Sequence, residues 1–431
     1  MMKDRYGLEL TVSSSEARDL YVEAIDGMLA GDGGIERTLT RCIEADGGFA
    51  LAYAALARQH QLKARGKEAK AVAETAVELV SGSTVREQRH VEIISHLISG
   101  QIPRSFELTQ EHILEYPTDA FVLAPSCGVF GTIGFSGNVG REPEQLEFIE
   151  PLAAHYDDDW WFLTVHAFAL LETGQWVQGR ELAERALDKR PTNAHAAHTL
   201  AHALYEAGED DEALDFLAGW LPEADRDSLL HCHNWWHYAI ALTMAGRHDD
   251  ASTAFAENCL PGSTDSPPIN VFTDSASFLW RSELAGAPRN DEHWETVRDY
   301  YEAEFRRPIV FVDAHAGLPY AALGQTEQLQ ACIAQLQELG EGGRLPAETT
   351  AASLNRAYDA FVSGRWSETI DLLEPLISQV VRIGGSRAQR DLQTNTLLAA
   401  YINDGRLAEA RAFLDAVPDR QPSRAVTGLT S

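Results

Sequence analysis

Residues 160–193 form a 34-residue unit in which two short amphipathic stretches are separated and ended by helix-breaking residues. Counting from Trp160, Ala167 stands at position 8, Leu170 at 11, Gly174 at 15, Trp176 at 17, Gly179 at 20, Ala183 at 24, Ala186 at 27 and Pro191 at 32. A glycine can close the first helix in the left-handed conformation, and a proline after the second prevents its continuation. The small residues let two helices approach closely. A unit of this size cannot bury its apolar face alone. It needs a copy of itself on either side, which commits the chain to a stack of helix pairs.

The period continues in both directions. Residues 52–85 carry Gly66 and Ala71 in register, and 86–119 carry Ile93, Gly100, Ser105 and Pro117. Residues 194–227 carry Gly208 and Ala213, and the unit from Cys232 carries Ala239, Gly246 and Ala251. Further units start near Phe272, Val310, Thr350 and Asp391. The glycine-rich run Ser126–Gly140 predicts a break or wide turn. The VFVD run at Val310 is read as the start of a helix rather than a strand. The pattern is that of the tetratricopeptide repeat (TPR). It predicts an all-α, TPR-like, right-handed superhelical solenoid of about eleven helix pairs with a concave face. The expected organisation is an N-terminal segment (1–16), N-terminal repeats (17–153, the last degenerate), central repeats (154–259), a loop (260–271), C-terminal repeats (272–417) and a frayed tail (418–431). The loop is expected to act as a lid or as a joint between two arcs.

A net charge of −30 repels nucleic acid and anionic membrane, so neither is an expected partner. Five cysteines at wide spacing, with no C-x-x-C, argue against a disulfide framework and for a reducing compartment. The N-terminus has no apolar signal core, and no run approaches the roughly 18 apolar residues of a membrane span. A cytoplasmic location is expected.

Helical periodicity then selects a face. At about 100° per residue, repeat positions 4, 7, 8 and 11 form the packing stripe, and 2, 5, 9, 12 and 13 point away from it. His195, His198 and His202 occupy 2, 5 and 9 of one repeat, with Tyr205 and Glu206 at 12 and 13. His233 and Trp236 occupy 2 and 5 of the next, with His237 beside them. In the preceding repeat Glu172 occupies 13, on the same face as Trp161 and Phe168. Three adjacent helices are thus expected to aim imidazoles, indoles and carboxylates into one stretch of groove. Truncating His198 and His202 should then remove no core volume. A closed, pocket-like superhelix would favour an enzyme, and an open groove a peptide scaffold.

Such a lining suits three chemistries. It can recognise a small molecule or a peptide. Histidine beside carboxylate can move protons near neutral pH. Histidines one turn apart can share a metal ion, most plausibly His198, His202 and His233 with Glu172 or Glu206 behind them. His195 to His202 spans roughly 10 Å along the axis, too far for all three to hold one tetrahedral ion. H-E-x-x-H and nucleophile motifs are lacking, and Cys232 reads as a packing residue. Neither a metal nor a cofactor is therefore expected. Arg387 and Arg390 are candidates for an anion site across the superhelix. Asp274, Arg281, Asp313 and His315 read as a polar network between repeats. The function expected is binding of a small molecule or peptide in the central groove, with a homodimer admitted. The alternative is an enzyme of hydrolase or lyase type using the same histidines for acid–base or metal-assisted chemistry.

The chain resembles the tetratricopeptide repeat protein 38 family. The resemblance rests on SSSEARDLYVEAI, HAFALLETGQW, AHAAHTLAHALYEAG, HNWWHYAIAL, DSASFLWRSELAG, FVDAHAGL and IGGSRAQRD, in that order over almost the whole chain. It departs at Ala203, Tyr205 and Glu206, where valine, glutamate and methionine are expected. The resemblance implies a TPR-like all-helical fold and no particular reaction.

Overall fold

The computed structural model describes residues 2–343, 347–416 and 426–428. Most of the tail expected at 418–431 therefore lies outside the described residues. Among the described residues, eleven pairs of helical segments follow one another, from Ser15–Ala30 with Ile35–Ala45 to Arg387–Asn403 with Leu407–Asp415. The strands among them are two-residue pieces, Met2–Lys3 and Glu9–Leu10, paired antiparallel. The chain is an all-α, TPR-like solenoid. Residues 127–140 hold no helix, as their glycines require, and Val310–Asp313 does begin one.

Local chemistry sets the helix ends. The Asp159 carboxylate accepts the Trp161 and Phe162 N–H groups, each at 3.1 Å, and the Asn193 side chain accepts the Ala196 N–H at 3.1 Å. Caps of this kind contribute about 1 kcal/mol each. Gly208 closes the Ala194–Ala207 helix at φ +70°, a conformation costly for any residue with a Cβ. Gly179 answers a packing need. A Cβ there would lie 2.7 Å from Leu171 and 2.9 Å from the Ala167 carbonyl.

The apolar core is uneven. One large cluster serves the N-terminal half, from Leu10 to Ala169, and another the C-terminal half, from Leu214 to Val426. Only small clusters lie between them, around Ala167 with Leu204, Leu163 with Ala196, and Ala201 with Leu217. The Ala194–Ala207 helix, whose buried apolar residues belong to neither large cluster, also buries His198, His202 and Glu206.

The stack also closes on itself. The Ala194–Ala207 helix contacts both the first helix, Ser15–Ala30, and the last long one, Arg387–Asn403. At the N-terminal seam, the Ser228 hydroxyl donates to the Gly31 carbonyl at 2.6 Å and Arg190 pairs with Asp32 at 2.5 Å. At the C-terminal seam, the fully buried Arg141 donates to the carbonyls of Val381 (2.9 Å) and Gly385. Burial, with Arg390 second, lowers the Arg141 pKa to about 10. Gly385 sits at φ +73°, and a Cβ on it would come 2.3 Å from the Phe311 ring. Among the described residues, no helix is long and apolar enough to cross a membrane.

Two polar clusters brace the arcs. Asp119 takes Arg86 at 2.7 Å, His112 at 3.0 Å and His90 at 3.2 Å. Burial opposes its ionisation, but His90, His112 and Arg86 outweigh burial and hold its pKa well below the usual range. Asp313 faces Glu348, and no N–H donor satisfies the Glu348 carboxyl. The two carboxyls must share a proton, and burial raises Glu348 to about 8 and Asp313 to about 7. Because these pKa values lie above the unfolded ones, the proton's stabilisation is complete below about pH 4 and is lost as the pH rises through 7 to 8. Glu348→Gln should therefore melt above wild type at pH 9, and the gap should vanish or reverse at pH 5. Melting curves at the two pH values check this.

Candidate functional site

Four imidazoles meet within the central repeats. His198 and His202 lie one turn apart on Ala194–Ala207, and His233 and His237 one turn apart on His231–Met244. Their rings form a closed circuit. Centroids are 4.5 Å apart for His198–His202 and His202–His237, and 4.9 Å for His233–His237 and His198–His233. The Nε2 atoms of His198 and His202 are 3.0 Å apart. One ring nitrogen from each of the four lies within 4.8 Å of all the others.

Neighbouring elements fix each ring. His233 Nδ1 is 2.8 Å from Asp274 Oδ2 on Pro268–Leu284, which assigns that nitrogen the proton and frees Nε2. The Trp236 indole stacks on His233 with centroids 5.3 Å apart. Phe168 stacks on His198 and meets His202 edge-on. His237 Nε2 is buried with no hydrogen-bond partner. Burial, then the neighbouring imidazoles, pushes His198 and His237 well below the usual histidine range. Burial, then His233 and Arg390, lowers His202 to about 3. These three rings are neutral at physiological pH.

The fold covers the face that carries these residues. His198 is 8% exposed, His202 1%, His233 4% and His237 5%. Closure of the superhelix covers the face that periodicity had left to solvent. Truncating His198 and His202 would therefore remove core volume, contrary to the expectation from sequence.

A cavity of about 280 Å³ adjoins the cluster. His195, His198 and His233 are on its wall, with Arg58 and Asn270 as further polar groups. Met28, Leu29, Phe121, Trp161 and Phe168 are among its apolar lining. Burial lowers Arg58 to about 10, and its guanidinium donates to Gln61 at 2.6 Å. Burial likewise lowers His195 to about 4. His202, Trp236 and His237 stand behind the wall.

The remaining expected residues form a separate seam with the C-terminal helix. Tyr205 donates to Asp391 at 2.5 Å and accepts from Arg281 at 3.1 Å. Arg387 lies 3.4 Å from Glu206, and its backbone N–H donates to Glu172 at 3.4 Å. Arg390 pairs with Glu142 and lies 3.9 Å from Glu172. Both guanidiniums are already engaged by carboxylates of this chain. Burial, opposed by Arg390, raises Glu172 to about 7.

Sequence reasoning missed Arg58, Asn270 and the walls supplied by the first repeats. A signal existed for Arg58. It stands in ALAYAALARQHQL, a helix otherwise without Lys, Arg, Asp or Glu. Asp274 and Arg281 were read as a polar network, and both do bridge repeats.

The tetratricopeptide repeat model matches residues 170–231. The chain contains tetratricopeptide repeats. This TPR protein also aligns with solved helical assemblies. The human IFIT1 dimer with m7Gppp-AAAA aligns at 12% identity and TM-score 0.45, over 96% of this chain and 97% of that one. Naa15/Naa10 bound to HypK-THB aligns at 12% identity and TM-score 0.26, over 94% and 58%. The P58(IPK) TPR domain aligns at 12% identity and TM-score 0.21, over 94% and 100%.

The burial gives a direct expectation for the TPR core. His202→Ala should lower stability by about 2–4 kcal/mol at pH 7.5, as a large buried side chain lost from a packed interior does. The depressed pKa means that the neutral ring's stabilisation is present above about pH 6.5 and is lost as the pH falls toward 3. The penalty should shrink at pH 5. Chemical denaturation at both pH values measures it, and a mutant as stable as wild type at pH 7.5 would show that the ring is not part of the packed interior.

Proposed function

We propose that this TPR protein binds a small, largely apolar molecule bearing an anionic group in its central cavity. Arg58 carries the proposal. It puts a guanidinium on an apolar wall, and among the described residues no carboxylate lies within ion-pairing distance of it. A cation in such a place is costly unless an anion accompanies it. His195, His198 and Asn270 add polar contacts on the same wall. Closure of the superhelix counts against the peptide alternative, because an extended peptide needs a groove open along its length, and it equally favours the enzyme alternative. The reading keeps the kinship with the tetratricopeptide repeat protein 38 family, which rests on the ordered motifs from SSSEARDLYVEAI to IGGSRAQRD.

Chemistry on the bound molecule is the second reading. It is favoured by one observation, the place of His198 and of the Asp274-oriented His233 on the cavity wall.

Titration with octanoate and with octanol tests the first reading. Octanoate should bind at least about tenfold tighter, since a hydrogen bond to a charged group is worth about 1.5–3 kcal/mol. Arg58→Leu should remove that preference while leaving helical content unchanged. Equal affinity for the two probes, or no binding of either, would refute the anionic-ligand reading.

A further inference from the structure

We infer that His198, His202, His233 and His237 form a binding site for one first-row transition-metal dication of the zinc class. The inference stands apart from the proposed cavity ligand, since it rests on the imidazole cluster alone.

Geometry comes first. Zinc binds imidazole nitrogen at about 2.0–2.1 Å, so tetrahedral ligand atoms lie about 3.3–3.4 Å apart. His198 and His202 place their Nε2 atoms 3.0 Å apart, and all four donor nitrogens fit within 4.8 Å. Small ring rotations bring such a set onto one ion. The helices supply the spacing, two rings one turn apart on each of two adjacent helices, so each pair lies on one face.

Hydrogen bonding points the same way. His237 Nε2 is buried without a hydrogen-bond partner. Ring nitrogens of other histidines, among them His231 and His315, share that state, so its weight here comes from its place in the cluster. The short His198–His202 contact can place one hydrogen between two nitrogens and leaves His237 Nε2 without a partner. A cation accepts lone pairs from all four rings at once. Asp274 completes the pattern. Its carboxylate orients His233 through Nδ1 at 2.8 Å and turns Nε2 toward the other rings, the carboxylate–histidine–metal arrangement that fixes tautomer and strengthens a ligand.

Charge is compatible. Asp274 is 1% exposed, and its carboxyl group stands one imidazole away from the ion. The two cations nearest the cluster are directed elsewhere. Arg281 lies over the Trp236 ring and donates to the Ala388 carbonyl and the Tyr205 hydroxyl. Arg390 pairs with Glu142. An all-nitrogen set favours Zn²⁺, Co²⁺, Ni²⁺ or Cu²⁺ over Mg²⁺ or Ca²⁺, which prefer oxygen. This departs from the metal-free state expected from sequence, where only three of the four histidines were grouped and His237 stood apart.

The test uses the full chain without a histidine tag, stripped with chelator and dialysed. Zn²⁺ and Co²⁺ are titrated by calorimetry, and Co²⁺ also by visible absorption. The expected result is one ion per chain, intense d–d bands of a four-coordinate cobalt ion and a Tm several degrees higher with Zn²⁺. His237→Gln should abolish stoichiometric uptake. Asp274→Asn, which keeps all four ligands, should weaken it by about 10–100-fold. His155→Ala, at an exposed histidine, should change nothing. If His237→Gln loses its helical circular dichroism, Asp274→Asn and the cobalt spectrum decide. Stripped wild type that takes up none of Zn²⁺, Co²⁺, Ni²⁺ or Cu²⁺ stoichiometrically overturns the site. So does uptake unchanged in both His237→Gln and Asp274→Asn.

Discussion

The buried guanidinium of Arg141, hydrogen-bonded to the backbone carbonyls of Val381 and Gly385, holds the C-terminal arc against the fourth helix pair. A repeat stack by itself fixes only neighbour-to-neighbour contacts and leaves its ends free. Here residues 240 or more positions apart are joined by side-chain to backbone bonds in the interior. The match is demanding at both partners. Gly385 needs a positive φ and no side chain, because the Phe311 ring occupies the space a Cβ would take. Arg390 donates to the same Gly385 carbonyl and pairs with Glu142, so one carbonyl collects two cations. That accumulation is tolerable only because Glu142 and Glu172 stand beside it. The seam is thus a charge-balanced unit, and losing one member would leave buried charge uncompensated.

Closure changes what the histidine helix means. In an open superhelix the positions facing away from the packing stripe meet water, and imidazoles there titrate normally. With the first and last arcs folded over Ala194–Ala207, the same positions become an interior. The rings are stripped of solvent and stay neutral, and their remaining hydrogen-bond capacity has to be met by one another or by a guest. The interior volume around the Ala194–Ala207 helix is shared by His198, His202, His233, His237, Glu172 and Glu206, all buried. Natural folds depart from apolar packing chiefly where a site needs the volume.

Much of this was legible in the sequence. Gly174, Gly208 and Pro191 mark helix ends by conformation alone, and Ala167, Gly179 and Ala183 mark close approach by size, so the repeat and its helix pairs could be read residue by residue. The convergence of the two histidine helices was legible too, since i and i+4 spacing on adjacent repeats puts four rings together. Enclosure was not legible. It depends on contacts such as Arg141 with Val381 and Ser228 with Gly31, whose partners lie 240 and 197 positions apart and share no periodic signal. The first repeats' contribution of Met28, Leu29 and Arg58 to the cavity was hidden for the same reason. Position counting set His237 beside His233 and Trp236 in the groove but left it out of the metal-binding set. Inside a closed interior a neighbouring position can turn into the same space, and there it completes the ring of imidazoles.

The arrangement divides charge by depth. The chain is strongly acidic, and many of its ion pairs are exposed ones, such as Arg180 with Glu184 and Glu212, whose contribution is small in water. In the centre the sign of the local field is set by very few groups. Asp274 is hydrogen-bonded to His233, Arg390 and Arg281 bear on His202 and His237, and Arg58 is on the cavity wall. Low dielectric makes each of them count for more than a single charge at the surface. The overall acidity therefore governs how the molecule repels other polyanions, while recognition in the interior is decided by which of these few charges still lacks a counter-charge. By that criterion Arg58 calls for an anion and Asp274, through His233, for a cation. The two demands meet on the one wall that carries both His198 and His233.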